Sequence, residues 1–429
     1  PEWLQVIQDG GLETFNSVEF PTATRGNEKW KYTNVGPVAR KTFEYPFEPH
    51  DGYALEKLLA TVPRDDNWTN LVFVDGRFDP EWSSNTASLA GVTAGNLHDL
   101  LARNGRVGRK HLGRYAADEI NGFAAVNTAF VHDGAFIHVP EGSVQGSVIH
   151  LVFVSTSRPR PTVAYPRTLI VAERNSAVTV LESFVGEPGS SYFTNAVAEI
   201  VVEEGAELEH YRYMMESAQA HHIGTTWVDV ACDGKFRSIS LASGAAVARN
   251  ELEVRLVAPG ASCDVRGIYV THGKQHIDNH INIDHASSHT SSAQYFKGIL
   301  DDHSRAVFSG RVLVRRDAQK SYASQADKNL MLSKGARVNT KPSMEIFADD
   351  VQCFHGATAG AVSDESLLYM RSRGIEEQVA RNLLVHGFAS EIIDGIKLEP
   401  LREHMDRMFS DPRPGSAPGP IRQGVLADV

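Results

Sequence analysis

Cysteine is scarce in this chain. Three occur in 429 residues, Cys232, Cys263 and Cys353, and no two have the spacing of a C-x-x-C pair. An odd, sparse set argues against a disulfide framework and for a reducing compartment. Long hydrophobic runs are missing as well, since no apolar stretch approaches the ~18 residues that span a bilayer. The opening Pro1-Glu2-Trp3 lacks a basic region followed by an apolar core, so the expected location is cytoplasmic, without a membrane segment. A start at Pro1 is expected to follow an initiator methionine outside this numbering. Blocks of one charge sign are absent too: 42 Lys and Arg stand against 53 Asp and Glu, for a net charge of -11 spread along the chain. Nucleic acid is therefore not an expected partner. No G-x-x-x-x-G-K-[ST] cradle occurs, and Gly122 and Gly134 build no dinucleotide fingerprint, so any ATP chemistry must come from a partner. A G-x-S-x-G elbow is lacking, which removes support for a hydrolase of that kind.

What is present is 42% hydrophobic residues, enough for a normal core in a chain long enough for one large unit or two to three smaller ones. Residues 1–122 read as a partly helical N-terminal region. Trp3, Val6, Ile7 and Leu12 fall near helical spacing despite Gly10-Gly11. Leu55, Leu58 and Leu59, then Leu97, Leu100 and Leu101, then Leu112, Tyr115 and Ile120 mark short amphipathic helices over 51–62 and 95–120. Asn70 to Gly76 reads as a strand and turn. From Phe123 to about residue 360 the character changes to β-rich runs of five to eight residues, such as Val148 to Val154 and Thr168 to Ala172, separated by glycine, asparagine and aspartate. A turn-plus-alanine motif recurs at Ser176-Ala177, Gly205-Ala206, Gly260-Ala261, Asp317-Ala318 and Gly335-Ala336, with intervals that include 29, 55 and 57. The last two are near twice 28, as in a solenoid of stacked strands; a two-sheet sandwich is the competing arrangement.

Residues 361–409 carry helix signals again. Ser363, Asp364 and Glu365 form an N-cap and acidic first turn, and Gly374 is placed to end that helix. Val379, Leu383 and Leu384 mark a second helix, and Pro400 with Leu401, Met405 and Met408 a third. The tail, 410–429, is rich in proline and glycine and is expected to be disordered.

The chemistry concentrates in Glu345 to Thr358, where an apolar, β-favouring run ends in Cys353-Phe354-His355-Gly356. On a strand the period of two places Cys353 and His355 on one face, with Cα atoms roughly 6.6 Å apart. Thiolate and imidazole suit iron, zinc or an iron–sulfur cluster, but two ligands do not fill a tetrahedral site. The remainder must come from elsewhere, such as another chain. The bland alternative is a small buried thiol beside a satisfied polar side chain. A second cluster comprises His272, His276, His280, His285 and His289, with Asp278 and Asp284. Strand alternation is expected to scatter these over different faces, so the structural reading is preferred there to a metal site. Acidic pairs such as Glu203-Glu204 and Asp301-Asp302 would suit a polysaccharide-active enzyme, but read more simply as solvated turns.

Several strings together carry a family resemblance. They are Glu28 to Thr33 (Glu-Lys-Trp-Lys-Tyr-Thr), Gln294 to Gly298, Phe308-Ser309-Gly310, Asn329 to Ser333, Thr340-Lys341-Pro342, Ala348 to Thr358, and Tyr369 to Ile375. The chain resembles the SufB/SufD family of iron–sulfur cluster assembly proteins, and its SufD branch more than its SufB branch. Where SufB carries an upstream cysteine, Asp327-Lys328-Asn329 stand here without a thiol. The resemblance implies a mainly β fold with helical caps: a right-handed parallel β-helix flanked by an N-terminal mixed, partly helical region and a C-terminal helical region. It implies a non-catalytic scaffold that pairs with SufB through the β-helices and binds the ABC-type ATPase SufC through the C-terminal helices, with Leu367, Tyr369, Arg371 and Arg373 as candidate contacts. ATP would be bound by SufC. Iron or a nascent cluster would lie at the SufB interface, with His355 its main ligand from this chain and Cys353 a secondary one. The family is also linked to reduced flavin, for which no motif is found. Two alternatives differ in class: a homodimeric β-helix binding module in which Cys353 and His355 are merely packed, and a polysaccharide-active β-helix enzyme.

Overall fold

The computed structural model describes residues 2–21, 27–46, 52–84, 89, 91–99, 105–114 and 121–410. Their strands, in chain order, are β1 (Thr69–Val74), β2 (Arg77–Asp79), β3 (Thr93–Asn96), β4 (Gly134–Val139), β5 (Ile149–Ser155), β6 (Thr162–Ala164), β7 (Arg167–Ala172) and β8 (Ala177–Gly186). There follow β9 (Tyr192–Val202), β10 (Glu207–Glu216), β11 (His221–Val230), β12 (Lys235–Gly244), β13 (Val247–Leu256) and β14 (Ser262–Thr271). The last six are β15 (His276–His285), β16 (Ser291–Leu300), β17 (Arg305–Val314), β18 (Tyr322–Met331), β19 (Arg337–Ile346) and β20 (Gln352–Ala361). Helices are α1 (Glu2–Val18), α2 (Gly36–Ala39), α3 (Gly52–Leu59), α4 (Gly105–His111), α5 (Gly122–Ala129), α6 (Asp364–Ser372), α7 (Glu377–Ile393) and α8 (Glu399–Ser410).

From β7 onward successive strands alternate between two sheets. One runs β2-β1-β5-β8-β10-β12-β14-β16-β18-β20 and the other β19-β17-β15-β13-β11-β9-β7-β4-β3. The long strands pair in parallel, and the two antiparallel pairings, β1 with β2 and β3 with β4, both lie at the N-terminal end. Each coil thus contributes one strand to each sheet, which makes a parallel β-solenoid rather than a sandwich. The interior column Val180, His210, Ser238, Val265, Gln294, Gln325 and His355 stacks in register, one residue per coil. Each step of the column is close to half of the two longer intervals in the turn motif.

The pairs at 176, 205 and 260 mark one corner of the coil, while Gly335 stands at the opposite corner against Asp302 and His303. Asn175, Gly205, Asp233, Gly260, His289 and Lys320 all have positive φ, from 52° to 75°, one coil apart. The stacking is close enough that a Cβ on Gly260 would lie 2.0 Å from Asp233 Oδ1, and one on Gly205 2.3 Å from Asn175 Oδ1. The alanines that follow Gly205 and Gly260, Ala206 and Ala261, are fully buried. Small side chains are needed where the chain turns inward.

Helix α1 runs through Gly10-Gly11 without a break. A Cβ at Gly11 would lie 2.6 Å from Ala129 N, so this glycine permits the close crossing of α1 on α5. Two expectations are corrected near here. Gly122–Ala129 is a helix, not the start of the β region, with Asn121 as its N-cap accepting from Ala124 N. Thr93–Asn96 is a strand paired with β4, not the start of an amphipathic helix. Leu100, Leu101, Tyr115, Ile120 and the tail beyond Ser410 lie outside the described residues.

The C-terminal helices follow their signals. Ser363 caps α6 by accepting from Ser366 N, and Gly374 ends it at φ +83°. Helix α7 then lies on the outer face of the first sheet. There the ammonium of Lys297 donates to Phe388 O at 2.6 Å and pairs with Glu391 at 2.9 Å.

Candidate functional site

β20 is the last strand of its sheet and β19 the last of the other, so each is paired on one side only. Along β20 alternation sends Cys353, His355, Ala357, Ala359 and Ala361 toward the solenoid interior, in line with the buried Ala323, Gln325, Asp327 and Asn329 of β18. Among the described residues no further coil covers them. Cys353 is half-buried and packs with Val312, Val314, Ala323 and Ala348. His355 is exposed. The structure therefore places both side chains on one face, as the spacing predicts, at the open end of the coil. Burial raises the thiol pKa of Cys353, so it ionises readily only beside a metal or another positive charge. Among the described residues no group of three or more His, Cys, Asp and Glu side chains could hold a metal ion. Cys353 and His355 are two side chains of metal-ligand type, too few to fill a tetrahedral site by themselves.

Large apolar side chains are exposed near this pair. Phe354 is 59% exposed, Phe347 62% and Ile346 42%. A Cβ at Gly356 or Gly360 would meet nothing within 4 Å, leaving room for another backbone to approach closely. Behind it, on β18, Asp327 is buried, and burial pushes its carboxyl up to about 6. It accepts from Tyr269 Oη at 3.1 Å and Asn329 Nδ2 at 2.6 Å.

The histidine-rich stretch divides between faces and turns, with one correction. His276 and His280, four apart, do share the outer face of β15 with Asp278; His285 points inward to Thr290 and Ser292, 2.8 Å from each. The outer group is clasped by the N-terminal Trp30 segment. Arg249, which is buried, stacks 3.8 Å from the Trp30 ring centroid and donates to Lys29 O at 2.9 Å. It also pairs with Asp278 and Glu251. Thr33 donates to Asp278 and lies 2.8 Å from His276 Nε2. Burial alone would raise the Asp278 carboxyl, but Arg249, His280 and Thr33 hold it well below the usual range. A cavity of ≈ 280 Å³ remains beside the clasp, lined by Trp30, Trp227, Glu251, Glu253 and Asn282 among others.

Of the candidate partner contacts on α6, Leu367 is buried against Val362 and Ala380, which makes it a packing residue. Tyr369 is exposed with Arg373 5.0 Å from its ring centroid, and Arg371 pairs with Glu377. Leu368, Val379 and Leu383 are exposed with them. Helix periodicity marks apolar residues without telling which of two apolar stripes is covered.

The described residues thus form a parallel solenoid whose last strand carries a thiol and an imidazole on one face. Comparison with known families places the chain. The SufBD core domain of the SUF iron–sulfur assembly system matches residues 153–388, and the SufBD N-terminal region matches residues 2–151. The chain belongs to the SufBD family of iron–sulfur cluster assembly proteins. An iron–sulfur cluster assembly SufBD family protein of Synechocystis is 31% identical, over 94% of this chain and 90% of its own length. The SufD protein of Escherichia coli is 29% identical, over 92% of this chain and 90% of its own length. The chain is thus SufD-like. No helix among the described residues is long and apolar enough to cross a membrane.

Proposed function

We propose that the chain is a scaffold subunit that completes its solenoid on a SufB-type partner and presents His355, with Cys353 in support, to iron or a nascent cluster shared across that junction. The observation that carries this reading is the bare final coil. Two ten-residue strands expose one unpaired edge each, with the two metal-type ligands between them. An edge of this kind is normally blunted or paired, and strand addition by a second solenoid would satisfy it. Iron is here the cargo rather than a resident cofactor. The exposed faces of α6 and α7, with Tyr369, Arg371 and Arg373, are the proposed contact for a SufC-type ATPase that supplies the nucleotide chemistry; a reduced flavin, if used, would be bound by the assembled complex. The cytoplasm remains the expected location.

The test is anaerobic reconstitution with SufB- and SufC-type partners, comparing wild type with His355→Ala by absorbance and Mössbauer spectroscopy. Gel filtration must first show equal assembly. Cluster yield is expected to fall by on the order of tenfold in the variant, while the complex still assembles. Equal yields would remove the ligand role and leave a structural partner. A metal-free homodimer predicts equal yields too, together with stable self-association of the isolated chain.

A further inference from the structure

Strands β16, β18 and β20 lie side by side, so Gln294, Gln325 and His355 are direct neighbours in register. Alternation points all three inward. Gln294 is 2% exposed and Gln325 3%. Gln325 Nε2 donates to Gln294 Oε1 at 3.0 Å, which commits the nitrogen half of the Gln325 amide to β16 and leaves the oxygen half for another partner. That half, Oε1, is buried and has no hydrogen-bond partner. A bare buried acceptor is costly, and a donor on the next strand would remove that cost. The neighbour on that strand is His355, about 4.8 Å away across the ladder. Opposite the pair the second sheet makes room with glycine: a Cβ on Gly310 would lie 1.6 Å from Gln325 Nε2 and 3.0 Å from Gln294 Oε1.

We propose that Gln325 is the positioning residue for His355, its amide oxygen accepting a hydrogen bond from one ring N–H so that the other ring nitrogen faces out of the open coil. The inference rests on the reading of His355 as a ligand. A ligating imidazole must present a lone pair, and the hydrogen bond made by one nitrogen decides which of the two carries it. An exposed ring on its own exchanges between tautomers and rotamers. Held by Gln325, it keeps one of each, and the ligand atom is preorganised before a metal or a partner arrives. Gln294 anchors the far side of the same amide, which gives the Gln294 to Gly298 string a role in the site although it lies two coils upstream.

The test uses the full chain labelled with 15N at histidine, with cobalt(II) as the probe. His355 is picked out from the 18 histidines by its absence in His355→Ala. The imidazole 15N shifts are expected to report one tautomer in the wild type, a mixture in Gln325→Met, which keeps length without an oxygen, and one tautomer again in Gln325→Glu. Cobalt affinity should fall on the order of tenfold to a hundredfold in Gln325→Met. A purely structural role would shift melting and leave the tautomer alone. An identical tautomer population in wild type and Gln325→Met overturns the proposal, whatever cobalt does. If the tautomer follows Gln325 while His355→Ala leaves cobalt affinity unchanged, the hydrogen bond stands and the ligand reading falls. Should Gln325→Met not fold, Gly310→Ala, whose methyl displaces the same amide, gives the same comparison.

Discussion

Glu253, on the wall of the cavity beside Trp30, has a carboxyl raised to about 7 by burial and then by its neighbour Glu251, against an ordinary value of 4.5. The folded state therefore holds this proton more tightly than the unfolded chain. Its contribution to stability is full below about 4.5 and is lost as pH rises through about 7. Asp278 has the opposite sign: its carboxyl is depressed, so its contribution is present at neutral pH and disappears on acidification. Glu253→Gln is expected to raise the melting temperature at pH 8 by roughly 2–5 °C and to flatten the slope between pH 5 and 7, as scanning calorimetry across pH would show. An unchanged slope would mean that the charge is already compensated in the fold. At this scale the sequence was legible where chemistry depends on neighbours along the strand. Cys353 and His355 are two apart, and a period of two suffices to pair them. Gln325 lies a full coil away from His355 along the chain, and the contact exists only through the register of stacked coils. The Arg249–Trp30 contact spans a still longer separation, so the Glu28 to Thr33 string could be recognised without revealing what it grips.

Among the elements, α7 is held to the solenoid by a short list of polar contacts. The buried ammonium of Lys297 bonds Phe388 O and Glu391, Tyr295 also donates to Glu391, and Arg237 donates to Gly395 O just beyond the helix. A hydrogen bond to a charged group contributes about 1.5–3 kcal/mol. Lys297→Met should therefore speed amide exchange in Glu377–Ile393 by roughly tenfold to a hundredfold while leaving the central coils protected. Exchange mass spectrometry reads both regions at once, and uniform protection in the variant would show that apolar packing alone holds the helix. Helices α6 to α8 could be read from the sequence because their caps and one-sided apolar faces are local signals. Helix α5 could not. Gly122 to Asn127 are all buried, so it has no polar face, and without one the 3.6-residue stripe vanishes. The strand Thr93–Asn96 was missed for a related reason: four residues are too few for alternation to emerge.

For the molecule as a whole, stability is distributed coil by coil, because each coil contacts chiefly its neighbours. Protection from exchange is expected to be highest in the middle of the solenoid and to fall toward β19 and β20, and partner binding should raise it there first. Phe354→Lys places a charge on the open end. Since Phe354 is 59% exposed, folding of the isolated chain should change by no more than about 0.5 kcal/mol, whereas self-association or pairing with a SufB-type chain, followed by analytical ultracentrifugation, should be lost. Retained pairing would move the junction away from this end. The solenoid was foreshadowed by the recurring turn-plus-alanine motif, but the length of the repeat wanders from coil to coil and its corners accept Asn, Gly, Asp, His and Lys. Side-chain identity varies where backbone conformation does not, and this is why the echo in the sequence is faint.

The two ends of the coil are unlike. At the N-terminal end the sheets finish in β2 and β3, strands of three and four residues that run against their neighbours, while at the other end they stop at full width. A rod with two such open ends would polymerise, each added copy offering a fresh place for the next. Here only the C-terminal end of the described residues offers full-width strands. If pairing runs through that end as proposed, growth along the axis is expected to stop at two chains, a count set by leaving one end unfinished rather than by symmetry.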